Sequence, residues 1–149
     1  MNLTPSVAPI SAITFTEWFP LWFDYVQPHI SDPTLPLHRS TFERLNSPAS
    51  PLQGVIASSD RALGFAHFYF HPSTWDVAEP CYLQDLYVAP SARGMGVSEL
   101  LLNEVIARAR EQGSPAVHWR VRESNLRAIA FYERIAKRTD RLCYSIPLR

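Results

Sequence analysis

The sequence predicts an α/β fold, in the broad sense that includes α+β, on three observations. Residues 52–58 and 62–70 carry apolar and aromatic side chains at strand-like spacing around a Ser-Asp turn, as a β-hairpin does. Residues 97–109 repeat apolar side chains every three or four positions, which is typical of one helix face. The chain has 149 residues, 46% of them hydrophobic. This is enough for one core, so we expect a single domain spanning residues 1–149.

The first half predicts an edge strand, two helices and the hairpin. A strand is expected around residues 7–10. Thr14 and Thr16 both offer helix caps, and Thr16 is preferred because it keeps Pro20 near the first turn. Pro28 ends this helix. Its five aromatic side chains are too many for one buried face, so one or two of them are expected to line a substrate cleft. Ser40 is then expected to cap a short helix over residues 41–45.

The second half alternates strands and helices. After a Pro-rich loop over residues 71–80, residues 81–89 are apolar on both faces, which favours the middle of a sheet. The helix that starts near residue 97 ends at Gly113. Residues 117–121 follow as a strand, Ser124 or Asn125 caps a helix to about residue 136, and residues 141–148 form a last strand.

Charge is unevenly spread along a chain whose formal net charge is zero. Three basic and eight acidic side chains precede Arg93, whereas eleven basic and six acidic ones follow from Arg93 onward. The division suits an anionic ligand on the second half and a cationic one near the first, and solvated surface charge explains it equally well. Without a basic run interleaved with aromatic residues, nucleic acid is not an expected partner.

Signals for membranes, export and metals are missing from the sequence. No apolar run approaches the roughly 18 residues of a membrane span, and residues 1–20 lack the basic start and apolar core of a leader peptide. We therefore predict a cytoplasmic protein with no membrane partner. The five histidines show no clustered pattern, and Cys81 and Cys143 are far apart, so neither a metal site nor a disulfide is predicted. Both cysteines are expected to be buried as small apolar residues.

A glycine-containing loop joins the third predicted strand to the long helix. Arg93, Gly94 and Gly96 precede the first helical turn, whose unpaired N–H groups and positive dipole end favour a phosphate. A nucleotide P-loop would need Gly-Lys-Ser/Thr here, but Gly96 is followed by Val97 and Ser98. A dinucleotide fingerprint would need a third glycine where Glu99 stands. Neither nucleotide motif fits.

Two motifs resemble those of a known enzyme superfamily. Val88-Ala89-Pro90 closes the interior strand and precedes Arg93-Gly94-Met95-Gly96-Val97-Ser98, and Asn125 opens a helix containing Phe131-Tyr132-Glu133. With a helix and a strand between them, these motifs are similar to the two signatures of the GCN5-related N-acetyltransferase (GNAT) superfamily. The resemblance covers residues 5–148 by element order. It implies a central mixed, mostly antiparallel sheet with a parallel splayed strand pair, flanked by about four helices.

A narrower resemblance is carried by residues 71–138. HPSTW, CYLQDLYV, Trp119 with Glu123 and Asn125, and FYERIAKR look like the subgroup of fungal histone and polyamine acetyltransferases and their bacterial relatives. This implies a transferase that uses acetyl-CoA as co-substrate, without a metal, and acts on a polyamine, an amino acid, another small amine or a lysine side chain. Relatives often form dimers, so a homodimer is expected.

The resemblance also assigns roles to residues. The Leu86 N–H would be the oxyanion donor, and Tyr132 the acid that protonates the CoA thiolate, because a phenol of pKa about 10 can donate to a thiolate whose conjugate acid has a pKa of about 8.5. Packing is the alternative role of Tyr132, and helix capping that of Asn125. The expected CoA contacts are Leu86, Tyr87, Val88, Arg93, Gly94, Met95, Gly96, Val97, Ser98, Asn125 and Tyr132. The expected substrate contacts are Tyr82, Gln84, Trp22 and Tyr25.

Two positions depart from the family pattern. Gln84 stands where the subgroup carries Glu, and an amide cannot take a proton at neutral pH. Strand alternation places Gln84 on the face of Tyr82 and Leu86, with Asp85 pointing the other way unless splaying redirects it. Two explanations for the missing base are open. A remote carboxylate, Asp24, Glu79 or Glu123, acts through water, or the substrate amine has a lowered pKa and needs little help from a base.

Ser98 is the second departure, replacing Gly or Ala at the end of the loop signature. Two effects are open, a hydroxyl that donates to a phosphate oxygen or a side chain that crowds the turn. Cofactor binding is expected to be retained but weaker. With Gln84, Ser98 motivates an alternative function, an acyl-CoA-binding regulatory module with little or no turnover.

Overall fold

Five strands form one mixed sheet in the computed structural model, which describes residues 4–149. The strands are β1 Ser6–Pro9, β2 Gln53–Ser58, β3 Ala62–Phe70, β4 Cys81–Val88 and β5 Val117–His118. They lie in chain order across the sheet, β1 to β4 antiparallel and β4 with β5 parallel. The predicted mixed, mostly antiparallel sheet with one parallel pair is confirmed.

Four α-helices accompany the sheet in the described residues, as predicted. They are α1 Phe15–Val26, α2 Pro36–Leu45, α3 Val97–Glu111 and α4 Leu126–Ile135, with short 3₁₀ helices at Ile10–Ala12 and Pro90–Ala92. Gly113 follows the end of α3 in a left-handed conformation, φ 70°, which is the helix stop that the sequence indicated.

The start of α1 is at Thr14 rather than at the preferred Thr16. The Thr14 hydroxyl accepts a hydrogen bond from the Glu17 N–H at 3.3 Å, and Glu17 Oε2 accepts one from the Thr14 N–H at 2.7 Å. This reciprocal capping box satisfies two otherwise unpaired donors. It outweighs the preference for keeping Pro20 near the first turn, and Pro20 lies inside the helix.

The start of α2 is also earlier than predicted. The helix begins at Pro36, not after Ser40. Proline suits a first helical turn because its φ is already fixed and its missing N–H is not needed there. His38 is fully buried in this first turn, and its Nε2 lies 2.9 Å from the Asp32 carbonyl oxygen. Tertiary packing therefore extends the helix toward its N-terminus.

The core lies between the sheet and helices packed on it. On one face, the Trp18 and Trp22 rings of α1 lie 5.9 and 5.7 Å from His67 of β3. Ala66 and Phe68 alternate with His67 and point away from α1, yet both are fully buried. The long helix α3 packs against the same strands, β2, β3 and β4, and covers them.

One predicted strand is too long and another is absent from the described residues. Strand β5 stops at His118 instead of residue 121, and residues 141–148 form no strand. Apolar alternation favours an extended chain but supplies no hydrogen-bonding neighbour, and a strand needs one.

The described structure divides into a larger unit ending at Trp119 and a smaller one from Arg120 to Arg149. The larger unit holds the sheet, α1, α2 and α3, and the smaller one holds α4. The single-domain organisation stays a prediction.

The cysteines differ in environment. Cys81 is buried and Cys143 is exposed, and both are free thiols, so the expectation that both are buried is wrong for Cys143. Burial raises the pKa of the Cys81 thiol to about 11. Within residues 4–149, no helix combines the length and apolarity needed to cross a membrane.

Candidate active site

A β-bulge at Gln84 shapes the middle of β4. Leu83 pairs with Phe68 and Asp85 pairs with His67, which leaves Gln84 as the extra residue of β4. Its side chain is exposed. A bulge shifts the alternation of side chains between the two faces of a strand. The prediction that Gln84 shares one face with both Tyr82 and Leu86 is therefore wrong.

The pairing partners show the consequence of the bulge for the faces of β4. Tyr82 pairs with Tyr69 and Asp85 with His67, two β3 residues on one face, whereas Leu86 pairs with Ala66 on the other. Tyr82 therefore shares a face with Asp85 and not with Leu86. The bulge redirects Asp85 toward α1.

Asp85 is held by two hydrogen-bond donors on the α1 side of the sheet. Its Oδ1 accepts from the Tyr25 hydroxyl at 2.9 Å, and its Oδ2 lies 2.9 Å from His67 Nδ1. Trp18 Nε1 lies 3.2 Å from His67 Nε2. Because an indole N–H can only donate, His67 Nε2 accepts and Nδ1–H donates to Asp85, so this buried histidine is neutral. Both Asp85 oxygens are thus engaged.

The two α1 residues predicted to contact substrate differ in environment. Trp22 is 8% exposed, stacks on Trp18 at 5.2 Å between ring centroids, and donates its indole N–H to His38 Nδ1 at 3.0 Å. Tyr25 is half-buried, and its ring lies 5.6 Å from that of Tyr87. Trp22 is a core residue by its packing. The substrate role of both residues stays a prediction.

The end of β4 carries three of the residues predicted to contact CoA. Leu86, Tyr87 and Val88 pair with β3, and Val88 lies opposite Gly64. A Cβ at Gly64 would lie 2.5 Å from the Tyr87 carbonyl oxygen, so only glycine permits this close approach. Burial, and next the charge of Asp24, raise the pKa of the Tyr87 phenol, whose hydroxyl donates to Asp24 at 3.3 Å.

One edge of β4 is unpaired beyond its first residues. Strand β5 pairs with β4 only at Cys81 and Tyr82, so along the described chain no strand lies beside β4 from Leu83 to Val88 on that side. An extended ligand can add to such an edge as a strand would.

The glycine loop leads directly into α3. Gly94 and Gly96 have φ of 83° and 76°, and a Cβ on either would meet nothing within 4 Å. Gly96 is the N-cap of α3 and provides no side-chain cap. Arg93 and Met95 are exposed and Val97 is buried. The loop thus presents helix-end N–H groups beside a cation, which fits a pyrophosphate.

The smaller unit carries the second motif. Asn125 caps α4, its side-chain oxygen accepting from the Ala128 N–H at 3.2 Å. The Tyr132 ring lies 5.6 Å from that of Phe131. Burial raises the pKa of the Tyr132 phenol, which keeps it protonated at neutral pH. The capping role of Asn125 is confirmed, and the cofactor roles of Asn125 and Tyr132 stay predictions.

Two histidines that the sequence left unclustered come together at the start of β5. His71 Nε2 and His118 Nε2 are 2.9 Å apart, and the His118 ring lies 5.0 Å from the Tyr82 ring. They are 47 positions apart in the chain, so only the parallel pairing of β4 with β5 reveals the contact. Among residues 4–149, no group of three or more His, Cys, Asp or Glu side chains is arranged to hold a metal ion.

Comparison with known proteins identifies the family. Residues 13–136 match the model of the Acetyltransferase (GNAT) family. The chain belongs to the GNAT family. It is therefore an acyltransferase, with the signature loop between β4 and α3.

Individual relatives agree with this assignment. The chain is 37% identical over 132 residues to the D-amino-acid N-acetyltransferase HPA3 of Saccharomyces cerevisiae, covering 85% of this GNAT chain and 81% of the yeast protein. It is 35% identical over 85 residues to the thialysine N-epsilon-acetyltransferase of Caenorhabditis elegans, which is 56% of this chain and about half, 52%, of the nematode protein.

A solved structure has the same fold. The protein AAC(6')-Iy, in complex with the bisubstrate analog CoA-S-monomethyl-acetylneamine, superposes with a TM-score of 0.79 at 18% identity. The superposition covers 96% of this chain and 97% of that chain.

Proposed function

We propose that this enzyme transfers the acetyl group of acetyl-CoA to the primary amine of a small molecule, by direct attack in a ternary complex. Amino acids and amino-acid-like amines are the preferred acceptors in this proposal, ahead of polyamines and lysine side chains. The observation that carries the proposal is the match to the yeast D-amino-acid N-acetyltransferase, which spans most of both chains. The acidic side chains that dominate the sequence before Arg93 suit a cationic acceptor.

Two features of the larger unit support acetyl-CoA as the donor. The uncapped first turn of α3, together with Gly94, Gly96 and Arg93, offers N–H groups and a positive charge for the pyrophosphate. The open edge of β4 offers strand-like pairing to pantetheine. When bound, acetyl-CoA supplies a thioester carbonyl as the electrophile.

Each chemical task has a proposed residue. The Leu86 N–H stabilises the oxyanion as the amine adds to the carbonyl, because a fixed backbone donor does not need to reorient during the reaction. Tyr132 gives its proton to the departing thiolate, which its raised pKa keeps available through neutral pH. Tyr82, Gln84 and Tyr25 contact the acceptor. Asn125 contributes to cofactor binding in addition to capping α4.

A second candidate function is an acyl-CoA-binding regulatory module with little turnover. It is favoured by Gln84, which cannot act as a base, and by Asp85, whose two oxygens are already engaged by Tyr25 and His67. On this alternative the loop binds the cofactor and no amine is acetylated.

One assay separates the two functions. Purified protein is mixed with acetyl-CoA and single amines, namely D- and L-amino acids, thialysine, a polyamine and a lysine peptide, and free thiol release is measured alongside cofactor binding by calorimetry. We expect thiol release with an amino acid or thialysine. Cofactor binding without release for any amine favours the binding module, and the absence of cofactor binding contradicts both functions.

A homodimer is proposed on the exposed apolar side chains of the C-terminal segment. Leu142, Tyr144, Ile146 and Leu148 alternate along the chain and are 77%, 89%, 84% and 92% exposed. Such a row is a ready interface for a second copy, and sedimentation of the purified protein measures its state. Cytoplasmic location and the lack of a nucleic-acid partner stay predictions.

A further inference from the structure

The pair His71 and His118 lies beside the predicted acceptor contact Tyr82. His71 follows β3 and His118 ends β5, and their Nε2 atoms are 2.9 Å apart. Tyr82, opposite His118 in the β4–β5 register, has its ring 5.0 Å away, and the Tyr69 ring lies 5.4 Å from Tyr82. The pair is therefore on the sheet face that carries Tyr82 and Asp85.

The hydrogen bonds determine where the protons lie. His71 Nδ1 is 2.9 Å from the Pro72 carbonyl oxygen, which can only accept, so His71 Nδ1 carries a proton. With His71 neutral, its Nε2 is an acceptor and His118 Nε2–H must donate to it. The remaining nitrogen, His118 Nδ1, then bears a lone pair and can receive a proton.

We propose that His118 and His71 remove the proton that the acceptor ammonium must lose before it attacks acetyl-CoA. This inference rests on the proposed acetyltransferase function. It supplies a base where Gln84 cannot act as one and where both oxygens of Asp85 already have hydrogen-bond partners. Leu86 lies four residues beyond Tyr82, roughly 13 Å at about 3.3 Å per residue and less for the bulge. The proton therefore has to travel from the amine to His118 through a chain of several water molecules.

The proton balance of the step is complete. The ammonium N–H gives its proton through water to His118 Nδ1, and His118 passes its Nε2 proton to His71 Nε2. His71 becomes an imidazolium whose Nδ1–H stays on the Pro72 carbonyl. The neutral amine adds to the thioester carbon, the C–S bond breaks, and the thiolate takes a proton from Tyr132. His71, which borders solvent, then releases its proton.

The surroundings favour a neutral, proton-accepting pair. Burial lowers the pKa of His118, and the charge of His71 lowers it further. Two phenols are in ring contact with the pair, Tyr69 of β3 with His71 and Tyr82 of β4 with His118. A second proton on the pair would place two N–H groups face to face, so the pair accepts one proton at a time.

The first test is the pH profile of kcat/KM for the best amine. We expect His118→Gln to lower kcat/KM by about 10²-fold at pH 7, as removal of a general base does. The loss should shrink as the pH approaches the pKa of the amine, because the amine is then already neutral. His71→Gln keeps an acceptor for His118 but removes the positive charge that His71 takes up with the proton. Because that charge lowers the pKa of His118, the acidic limb of the variant should move to higher pH. His29→Gln, at an exposed histidine after α1, is the matched control and should leave the profile unchanged.

Two results overturn the proposal. One is an acidic limb that stays in place in both His118→Gln and His71→Gln, provided that both variants bind acetyl-CoA. The other comes from the wild-type protein, whose imidazole ¹⁵N shifts are titrated by NMR without any turnover. We expect the His118 Nδ1 lone pair to titrate below the ordinary histidine pKa. A protonated Nδ1 at pH 7 contradicts the relay, whereas absent thiol release with the expected titration contradicts only the acetyltransferase function.

Discussion

Gln84 is the residue at which this chain differs most in chemistry from the pattern it resembles. It occupies the bulge of β4 and is exposed, so it does not support the core, and contact with the acceptor is its proposed role. An amide offers both donors and an acceptor but does not change charge near neutral pH.

Gln84→Glu should strengthen the binding of cationic amines and move the acidic limb of kcat/KM toward lower pH, because a carboxylate of pKa about 4.3 would then serve as a second base. Steady-state kinetics over pH measure this, with Gln53→Glu at the start of β2 as the control. A loss of turnover at every pH would instead show that the amide itself is needed to hold the acceptor.

Tyr132→Phe should lower kcat by about 10²-fold, the usual contribution of a general acid, and leave the Kd for acetyl-CoA nearly unchanged. The phenol has its pKa raised by burial, so it holds its proton through neutral pH, and its loss should be felt across that range. Tyr144→Phe, at an 89% exposed tyrosine of the same unit, is the control. An unchanged kcat would remove the acid role and leave packing.

At the scale of elements, the first two helices begin at local signals that competed with others in the sequence. The Thr14 and Glu17 capping box was readable in the sequence, although Pro20 favoured Thr16. The start of α2 at Pro36 also has a local signal, a proline in the first turn, and it is supported by the burial of His38, whose Nε2 lies near the Asp32 carbonyl oxygen.

The loop before α3 permits a controlled test of its role. Gly96 and Gly113 both have positive φ, 76° and 70°, and a Cβ on either meets nothing within 4 Å. Alanine at either site should therefore cost a similar stability, about 1 kcal/mol. Only Gly96→Ala should also weaken the binding of acetyl-CoA, by about fivefold if the strain of about 1 kcal/mol is relieved by moving the loop.

Calorimetric titration with acetyl-CoA and thermal unfolding of both variants measure these effects. Equal affinities for Gly96→Ala and Gly113→Ala would show that the loop conformation is not used for the cofactor.

At the scale of the whole molecule, cofactor binding should raise the free energy of unfolding. Acetyl-CoA at 100 times its Kd should stabilise the folded enzyme by about 2.7 kcal/mol, since it binds the native state and not the unfolded chain. For a domain of this size that raises Tm by about 5–10 °C. Pantetheine without the pyrophosphate should give a smaller shift, and no shift with acetyl-CoA would contradict the proposed site.

The sequence by itself determined the family and most of the elements. Local spacing fixed the Arg93 to Ser98 loop, the helix between Gly96 and Gly113, the hairpin and the Asn125 cap, because caps, turns and periodicity are properties of neighbouring residues. The tertiary structure decided what long-range pairing controls. It placed the bulge at Gln84, engaged both oxygens of Asp85 and brought His71 to His118, since each depends on the register between strands distant in the chain.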